Sequence, residues 1–340
     1  MPRFLVLAGC LLLSVGAAHA HVLKFATLAP EGSAWMNIIQ DWAKQVDAES
    51  GGRLKFKIYP GGVAGDEPDV LRKIRFGQLQ GAAITGHGIG LIYPPARALE
   101  MPFLFDTLRE IDYVRDHLLP EILPEFRRNG FELLSWIEVG CVRLFSSAPI
   151  RSLDEMRQRR IWLWQGDRLA QVFFEVSGLA PIPLAITEVF TSLSTGLIDT
   201  VTAPPLAAVA MQWFTKTRYV TEPPMANGIG GLVIANPFFD RLPPDLQDLL
   251  RRTGLETGHR MIEVTRDDNL KSLEVLKERG LNFVRWQDGD EQMVLGMRDR
   301  AVDRLIAEGY FTAPLYHRVL DLLREYRVSE AVTNAVPCSR

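Results

Sequence analysis

The chain contains little cysteine, little net charge and few histidines. Among 340 residues there are three cysteines and six histidines, and the formal net charge is −3. Two or three cysteines do not make a disulfide framework, and the small negative charge gives no basis for a nucleic-acid partner. The histidines lack the close spacing and paired cysteines of a zinc site. No G-x-S-x-G elbow or nucleophile–base pair indicates an enzyme, and we expect no cofactor.

Long apolar runs are confined to the first twenty residues. A basic start at Arg3 precedes the apolar stretch Phe4–Ala18, and Ala18–Ala20 reads A-H-A, a small-x-small cleavage signal. This order is typical of a secretory signal peptide, and the stretch is too short for a membrane span of about 20 residues. We expect cleavage after Ala20 and a periplasmic mature protein beginning at His21, with a buried N-terminal helix as the alternative.

A second processing signal and the other cysteines leave alternatives open. Leu7–Cys10 resembles a lipoprotein box, but the apolar run continues through Leu11–Leu13, so a lipid anchor at Cys10 is the weaker hypothesis. Cys141 and Cys338 remain after cleavage, and an oxidising compartment permits a disulfide between them. We favour an unpaired Cys141 buried on a strand and a Cys338 in a loose tail.

Strand and helix patterns alternate along the chain. The first part predicts strands at Val22–Ala26, Leu54–Tyr59 and Gly81–Thr85 around helices at Trp35–Ala48 and Asp69–Phe76. This β-α-β-α-β order predicts a mostly parallel sheet with helices on both faces. The pattern is then repeated, with strands at Arg143–Ser146, Arg160–Trp164 and Thr200–Thr202 and helices at Leu153–Arg157, Arg168–Val176 and Ile186–Thr195.

The last third of the sequence predicts a link between the two halves. Gly228–Ala235 is an apolar run that we interpret as a strand returning to the first half. A helical pattern then covers Pro244–Gly280, and at 1.5 Å per residue it would be about 50 Å long, more than one lobe requires. Gly254 and Gly258 are candidate bend points within it. A helix of this length would pack on both halves and tie them together.

Three short motifs carry candidate chemistry. Gly86–Gly90 reads G-H-G-I-G after a strand, but Tyr93–Pro95 interrupts the helix that a dinucleotide fingerprint needs, so we interpret it as a loop lining a cleft. The carboxylates of Asp66–Asp69 fit an N-cap for the next helix better than a metal site. Trp162 and Trp164 share one face of a strand, which is either core or a ligand-facing wall.

Several segments, taken in order, resemble one protein family. From about residue 22 to about 325 the chain resembles the DctP-type receptors of tripartite ATP-independent periplasmic (TRAP) transporters. Each segment alone is weak, and their shared order carries the resemblance. The segments are Leu23–Ala26, Gly51–Leu54, Tyr59–Gly65, Met101–Phe105 (similar to P-F-L-F), Leu153–Met156 with Arg160–Ile161 (D-L-K-G-x-K-I-R), Pro183–Leu184 with Glu188–Phe190 (P-x-x-x-x-E-V-Y) and Gly196–Asp199 (G-x-x-D-G).

The resemblance implies a fold and a mode of action. It implies an α/β, two-lobed periplasmic binding protein, type II-like, with a long helix spanning both lobes. We expect the first lobe at 21–140 plus about 229–268, the second at 141–228 plus about 269–328, and a tail at 329–340. The family also implies a receptor without enzymatic activity, which closes on a small molecule and delivers it to TRAP membrane permease subunits.

The chain departs from the family where the ligand is held. The resemblance implies an arginine at the end of K-I-R, whose guanidinium pairs with a ligand carboxylate, and Trp162 stands there instead. It implies an asparagine after G-x-x-D, and Ala203 and Pro204 occupy that position. A further arginine at the start of the second lobe is kept as Arg143. We therefore expect an apolar or amphipathic ligand.

The candidate site combines these positions. Trp162 and Trp164 supply its wall, Arg143 a polar anchor, and the remaining lining is Gln165, Thr85, Leu28, Ala203 and Pro204. One alternative is an organic acid held by Arg143 or by another arginine such as Arg160 or Arg168. Another is a permease-independent carrier of lipid-like molecules. In lacking this arginine, the chain also resembles a branch of the family that is associated with a periplasmic tetratricopeptide protein. Such a protein is a further candidate partner.

Overall fold

The computed structural model describes residues 20–222, 224–286 and 290–329, and of residues 290–294 only the backbone. The predicted signal peptide up to residue 19, the candidate lipid anchor at Cys10, and the tail with Cys338 lie outside the described residues. Among the described residues, no helix combines the length and apolarity that crossing a bilayer requires.

The elements follow one another along the chain in an alternating α/β order. The strands are β1 (His21–Thr27), β2 (Leu54–Tyr59), β3 (Gly81–Thr85), β4 (Phe131–Ser146), β5 (Trp162–Trp164), β6 (Ile182–Leu184), β7 (Thr200–Ala203), β8 (Tyr219–Glu222), β9 (Ala226–Ala235) and β10 (Asn282–Arg285). The α-helices are α1 (Ala34–Glu49), α2 (Glu67–Arg75), α3 (Gly86–Ile92), α4 (Leu108–Arg128), α5 (Leu153–Arg157), α6 (Arg168–Val176), α7 (Val189–Thr195), α8 (Pro205–Ala210), α9 (Asn236–Phe239), α10 (Pro244–Glu278), α11 (Asp290–Ala307) and α12 (Ala313–Ser329).

In the described part of the chain, eight strands form a mixed sheet in the order β10-β8-β4-β9-β3-β1-β2, with β7 also paired to β4, and β5 and β6 form a separate two-stranded sheet. The predicted parallel pairing holds for β1 with β2 and β3. Beyond β3 the pairing is mixed: β9 runs antiparallel to both β3 and β4, and β4 runs antiparallel to β7 and β8. The pairs β8 with β10 and β5 with β6 are parallel. The prediction of a mostly parallel sheet is therefore wrong for the sheet as a whole. The 16-residue strand β4 thus pairs at one end with the strand that returns to the first half and at the other end with the second half.

The described residues form two clusters of buried apolar side chains, the larger of which extends from the first half into the second and includes Leu163 and Phe173. The larger surrounds Phe25, Trp42 and Phe239, and the smaller surrounds Phe145 and Val220. A chain of this length is expected to bury more than one core. The C-terminal helices contact both predicted lobes, since α11 packs against α6 and α12 packs against α4.

The long helix α10 covers Pro244–Glu278, as the pattern predicted, and it contacts α1, β4 and α8. Its two glycines lie where it crosses β4. A Cβ at Gly258 would be 2.0 Å from Ser135 Oγ, and one at Gly254 would be 2.9 Å from Leu134 Cβ. These glycines therefore permit close approach of helix and strand, which accounts for them without a bend.

Two local predictions differ from the structure near the cleft and on β4. The Gly86–Gly90 segment forms the helix α3, whose N-cap Thr85 accepts a hydrogen bond from the His87 backbone, and is not a loop. Cys141 is disulfide-bonded, so the prediction of an unpaired thiol is wrong. In contrast, Asp66 caps α2 as expected, its carboxylate accepting from the Glu67 backbone at 2.7 Å.

Candidate ligand-binding cleft

A cavity of about 270 Å³ lies between the two halves of the molecule. Elements of both halves contribute to its wall, including β3, α3 and β9 on one side and β5, β7 and α8 on the other. Six of the eight predicted site residues line it, namely Leu28, Thr85, Trp162, Trp164, Ala203 and Pro204. Such a concave, mostly apolar site with a few polar groups is the usual form of a small-molecule pocket.

The two predicted tryptophans form a continuous aromatic wall. Their ring centroids are 5.7 Å apart, and Trp213 meets Trp162 edge-to-face at 5.3 Å. Trp162 Nε1 donates to the Leu184 carbonyl at 3.0 Å, which ties β5 to β6. Only 3% of Trp162 is exposed, and it packs within the smaller core cluster. The sequence left open whether this face is core or wall, and Trp162 is both.

Arg143 does not line this cavity. Its Nη1 donates to the Thr221 carbonyl at 2.9 Å, and its side chain faces a second cavity beside Glu222 and the C-terminal part of α10. Burial lowers the pKa of its guanidinium. The residue of β4 that does line the cleft here is the neighbouring Val142. Placing Arg143 in the cleft was therefore wrong, because adjacent residues of a strand point to opposite faces.

Gln165 is also outside the cavity wall. The residue is exposed, and its backbone N–H donates to the Leu184 carbonyl at 3.1 Å. It follows the end of β5 and lies where the chain turns towards α6, whose N-cap is Asp167. The predicted set thus contributes an apolar wall to the cleft but no charged anchor.

A buried ion cluster, which the sequence reasoning missed, occupies one end of the cavity. Arg97 Nε lies 2.6 Å from Glu100 and its Nη1 lies 2.7 Å from Asp167, and all three side chains are at most 9% exposed. Burial raises the pKa of Glu100. Burial also acts to raise the pKa of Asp167, but the adjacent Arg97 guanidinium outweighs it and holds that pKa below its usual value. No spacing signal in the sequence joins Asp167 to the other two, which lie about seventy residues earlier.

Two further polar side chains line the cavity without hydrogen-bond partners among the described residues. They are His87, through Nε2, and Asn227, through both Oδ1 and Nδ2. His87 is 3% exposed and Asn227 is 5% exposed. The His87 ring stacks on Trp164 with a centroid distance of 4.9 Å. Burial lowers the pKa of His87, so its imidazole is neutral at pH 7.

Contacts across the cleft hold the two halves together around the cavity. The Asp66 carboxylate, at the start of α2, accepts from Trp164 Nε1 at 3.0 and 3.1 Å and from the Ile186 backbone at 3.1 Å. The Arg97–Asp167 pair also crosses the cleft. Direct contacts therefore join the two halves at the edge of the cavity.

Glu67 supports the cavity wall from behind. Its carboxylate accepts from the backbone of Thr85 at 2.7 Å, the Thr85 hydroxyl at 3.0 Å and the backbone of Gly88 at 2.6 Å. Burial raises the pKa of this carboxyl to about 7. These bonds fix the junction of β3 and α3, and with it the position of His87.

Solved structures of binding proteins have the same fold as this chain. The chain superposes on the sugar acid binding protein of Advenella mimigardefordensis, in complex with galactonate, with a TM-score of 0.84 at 20% identity, covering 90% of this chain and 99% of that one. A TRAP solute-binding protein of Desulfovibrio salexigens with bound orotic acid gives 0.81 at 18% identity, covering 91% and 99%. At these identities the likeness establishes the fold, which is the two-lobed α/β architecture.

Sequence relatives agree. A solute-binding protein of Chromohalobacter salexigens is 30% identical over 172 residues, which is half of each chain. The 2,3-diketo-L-gulonate-binding periplasmic protein YiaO of Escherichia coli is 22% identical over 282 residues, 82% of this chain and 86% of that protein. The model of bacterial extracellular solute-binding proteins, family 7 (DctP), matches residues 25–308. The chain therefore belongs to the DctP family of bacterial extracellular solute-binding proteins, and its structural neighbours are TRAP periplasmic solute-binding proteins.

Proposed function

We propose that the chain is a TRAP receptor that captures an apolar or amphipathic small molecule in the cleft and delivers it to a membrane permease. Receptors of this family bind a small-molecule ligand and work with membrane permease subunits, and they are binding proteins rather than enzymes. The observation that carries the proposal is the absence, among the described residues, of an uncompensated cation in the cavity wall.

The positions where the family resemblance implies polar anchors are apolar in this cleft. Trp162 and Ala203 line the cavity where an arginine and an asparagine were expected, and Val142 lines it where Arg143 was expected. Burying apolar surface contributes about 25 cal/mol per Å², so an apolar ligand gains from every part of this wall. The aromatic pair Trp162 and Trp164 adds flat area suited to rings or extended chains.

The alternative is an organic acid held by an arginine. Relatives bear names or carry ligands of that kind, such as galactonate and 2,3-diketo-L-gulonate. In this chain, however, Arg97 is already paired with two carboxylates and Arg143 faces another cavity. Arg160 and Arg168 are paired with Asp199 and Glu308, and neither lines the cleft. An unpaired carboxylate buried here would cost several kcal/mol.

Ligand extraction tests the proposal. Protein purified from its native periplasm and denatured for mass spectrometry is expected to release a molecule with a substantial apolar part. Trp162→Phe keeps an aromatic ring in the wall, while Trp162→Arg introduces the family's cation, and we expect the arginine variant to lose affinity for the extracted molecule by at least tenfold. Recovery of short organic acids alone, bound equally well by both variants, would contradict the proposal.

Partners and location need a separate experiment. We propose periplasmic delivery to permease subunits, with a tetratricopeptide protein as a second candidate partner, after removal of the signal peptide at Ala20. N-terminal sequencing of secreted protein should give His21 as the first residue. Uptake that persists after deletion of the permease genes would favour the permease-independent carrier. Catalytic turnover by the pure protein would contradict a receptor role.

A further inference from the structure

Two polar side chains of the cavity wall, His87 and Asn227, have side-chain atoms without a hydrogen-bond partner among the described residues. A purely apolar ligand does not account for them. Buried amide and imidazole groups destabilise the folded state when they lack a hydrogen-bond partner. The amide of Asn227 leaves both its donor and its acceptor unpaired among the described residues, and His87 leaves Nε2 unpaired. Both residues line the same cavity at 5% and 3% exposure.

The sheet register brings these two side chains to the same end of the cavity. Thr85, the last residue of β3, pairs with Gly230 of the antiparallel strand β9. His87 follows two residues after Thr85, and Asn227 lies three residues before Gly230, so both lie beyond the same end of this strand pair. Gly228, next to Asn227, also lines the cavity.

The charges at this end do not favour an anion. Arg97 is shared between Glu100 and Asp167, and these three with His87 are the ionisable side chains of the cavity wall among the described residues. Because His87 is neutral, the cluster is neutral if Glu100 is protonated and carries one net negative charge if it is not. A ligand carboxylate would therefore meet no excess positive charge.

We infer that His87 and Asn227 form a head-group subsite for an uncharged ligand group that both donates and accepts hydrogen bonds, such as a hydroxyl or a primary amide. A neutral imidazole nitrogen is a donor or an acceptor according to its tautomer, and an asparagine amide supplies one of each. The rest of the ligand lies against Trp162 and Trp164. This inference rests on the proposed apolar or amphipathic ligand and specifies its polar end.

Three probes of nearly equal shape test the subsite, namely 2-naphthamide, 2-naphthoate and 2-methylnaphthalene. Calorimetric titration of the full mature protein at pH 7.5 is expected to give at least tenfold tighter binding for the amide than for the carboxylate, and about fivefold tighter than for the methyl compound. A single net hydrogen bond is worth about 1 kcal/mol, which corresponds to roughly fivefold in affinity.

Substitutions then locate the preference. Asn227→Leu and His87→Phe are each expected to remove the advantage of the amide over the methyl compound, while binding of the methyl compound stays within about threefold. Replacing a buried amide without a partner removes a desolvation cost, so Asn227→Leu is expected to keep or raise the Tm. Gln165→Leu, an exposed position outside the cavity wall, is the control and should leave all three affinities unchanged.

The outcomes separate this inference from the proposed function. Equal binding of the amide and the methyl compound, or an amide preference that survives in Asn227→Leu, would overturn the subsite and leave the apolar receptor standing. Tightest binding of the carboxylate would overturn both. Failure of all three probes to bind would count against the proposed function and therefore against the inference that rests on it.

Discussion

The hydrogen bond between Trp164 and Asp66 is predicted to control opening of the cleft. Trp164→Phe keeps an aromatic ring against His87 but removes the indole N–H that lies 3.0 and 3.1 Å from the two carboxylate oxygens. Net contributions of hydrogen bonds to charged groups are about 1.5–3 kcal/mol. Trp164 is half-buried, so water can replace part of the lost bond when it breaks. We therefore expect about 1.5 kcal/mol, or roughly tenfold easier opening.

The backbone amide of Ile186 reports this opening without any ligand. It donates to the same Asp66 carboxylate across the cleft at 3.1 Å, so its hydrogen exchanges with solvent when the two halves separate. Hydrogen–deuterium exchange of the peptide containing Ile186 is expected to be about tenfold faster in Trp164→Phe.

Two further variants decide whether the effect belongs to the cleft. Trp213→Phe makes the same chemical change at a tryptophan that packs on Trp162 within the second half, and it should leave the exchange of Ile186 within twofold of the wild type. Asp66→Asn keeps a helix-capping oxygen but removes the charge, and in that background Trp164→Phe should add less than threefold. Exchange that is unchanged in Trp164→Phe, or equally fast in Trp213→Phe, would refute the reasoning.

Four other predictions concern stability, binding and pairing. Burial raises the pKa of the Glu67 carboxyl from 4.5 to about 7. Between pH 4.5 and 7 the folded protein therefore keeps this carboxyl protonated while the unfolded chain loses the proton. The resulting contribution to stability is complete below about pH 4.5 and is lost as the pH rises through 7. The free energy of unfolding of the wild type minus that of Glu67→Gln should therefore fall by up to about 3 kcal/mol between pH 4.5 and 8 in urea titrations, and a flat difference would contradict the assignment. Gly258→Ala should lower the free energy of unfolding by more than about 2 kcal/mol, because its Cβ would overlap the Ser135 hydroxyl and the Trp136 carbonyl of β4. Gly296→Ala in α11 is the control: a Cβ there would have only the Arg300 side chain nearby, so it should be neutral or stabilising by up to about 1 kcal/mol. Arg143→Met should leave the calorimetric affinity for the amide probe within twofold, because the side chain faces away from the cleft; a tenfold loss would restore it as an anchor. Non-reducing peptide mapping should recover Cys141 in a disulfide-linked pair, and a free thiol there would contradict the structure.

Local patterns were sufficient for much of the fold. The strands β1, β2 and β3 and the helices α1, α6 and α10 have helical or alternating apolar periods with recognisable ends, and the structure places them within a few residues of the prediction. The helix α4 was not predicted, and it contains Pro120 and Pro124. Proline usually ends or kinks a helix, and here the Thr107–Glu110 capping box and packing against α12 and β4 support it instead.

The polar end of the cleft could not be predicted from local sequence. Arg97 and Asp167 are seventy residues apart, and Asn227 follows sixty residues later. None of the three belongs to a motif in its own segment. They come together only in the folded protein, where β9 lies beside β3 and α6 approaches the segment before α4. Burial of unpartnered groups such as Asn227 is a property of the folded cavity, so no periodicity in the sequence reports it.

The misplacement of Arg143 has a specific cause, and it strengthens the view of an apolar cleft. A regular strand would put Val139 and Arg143 on one face, four residues apart. The pairing of β4 with β9 instead shifts register between Glu138 and Gly140, where one extra residue enters β4 and Gly140 adopts a φ of 115°. After this bulge the alternation changes phase, so Val139 and Val142 both line the cavity although they are three residues apart. The same bulge that places Val142 in the cleft wall directs Arg143 out of it, so the cleft has a valine where the family resemblance implied its last charged anchor.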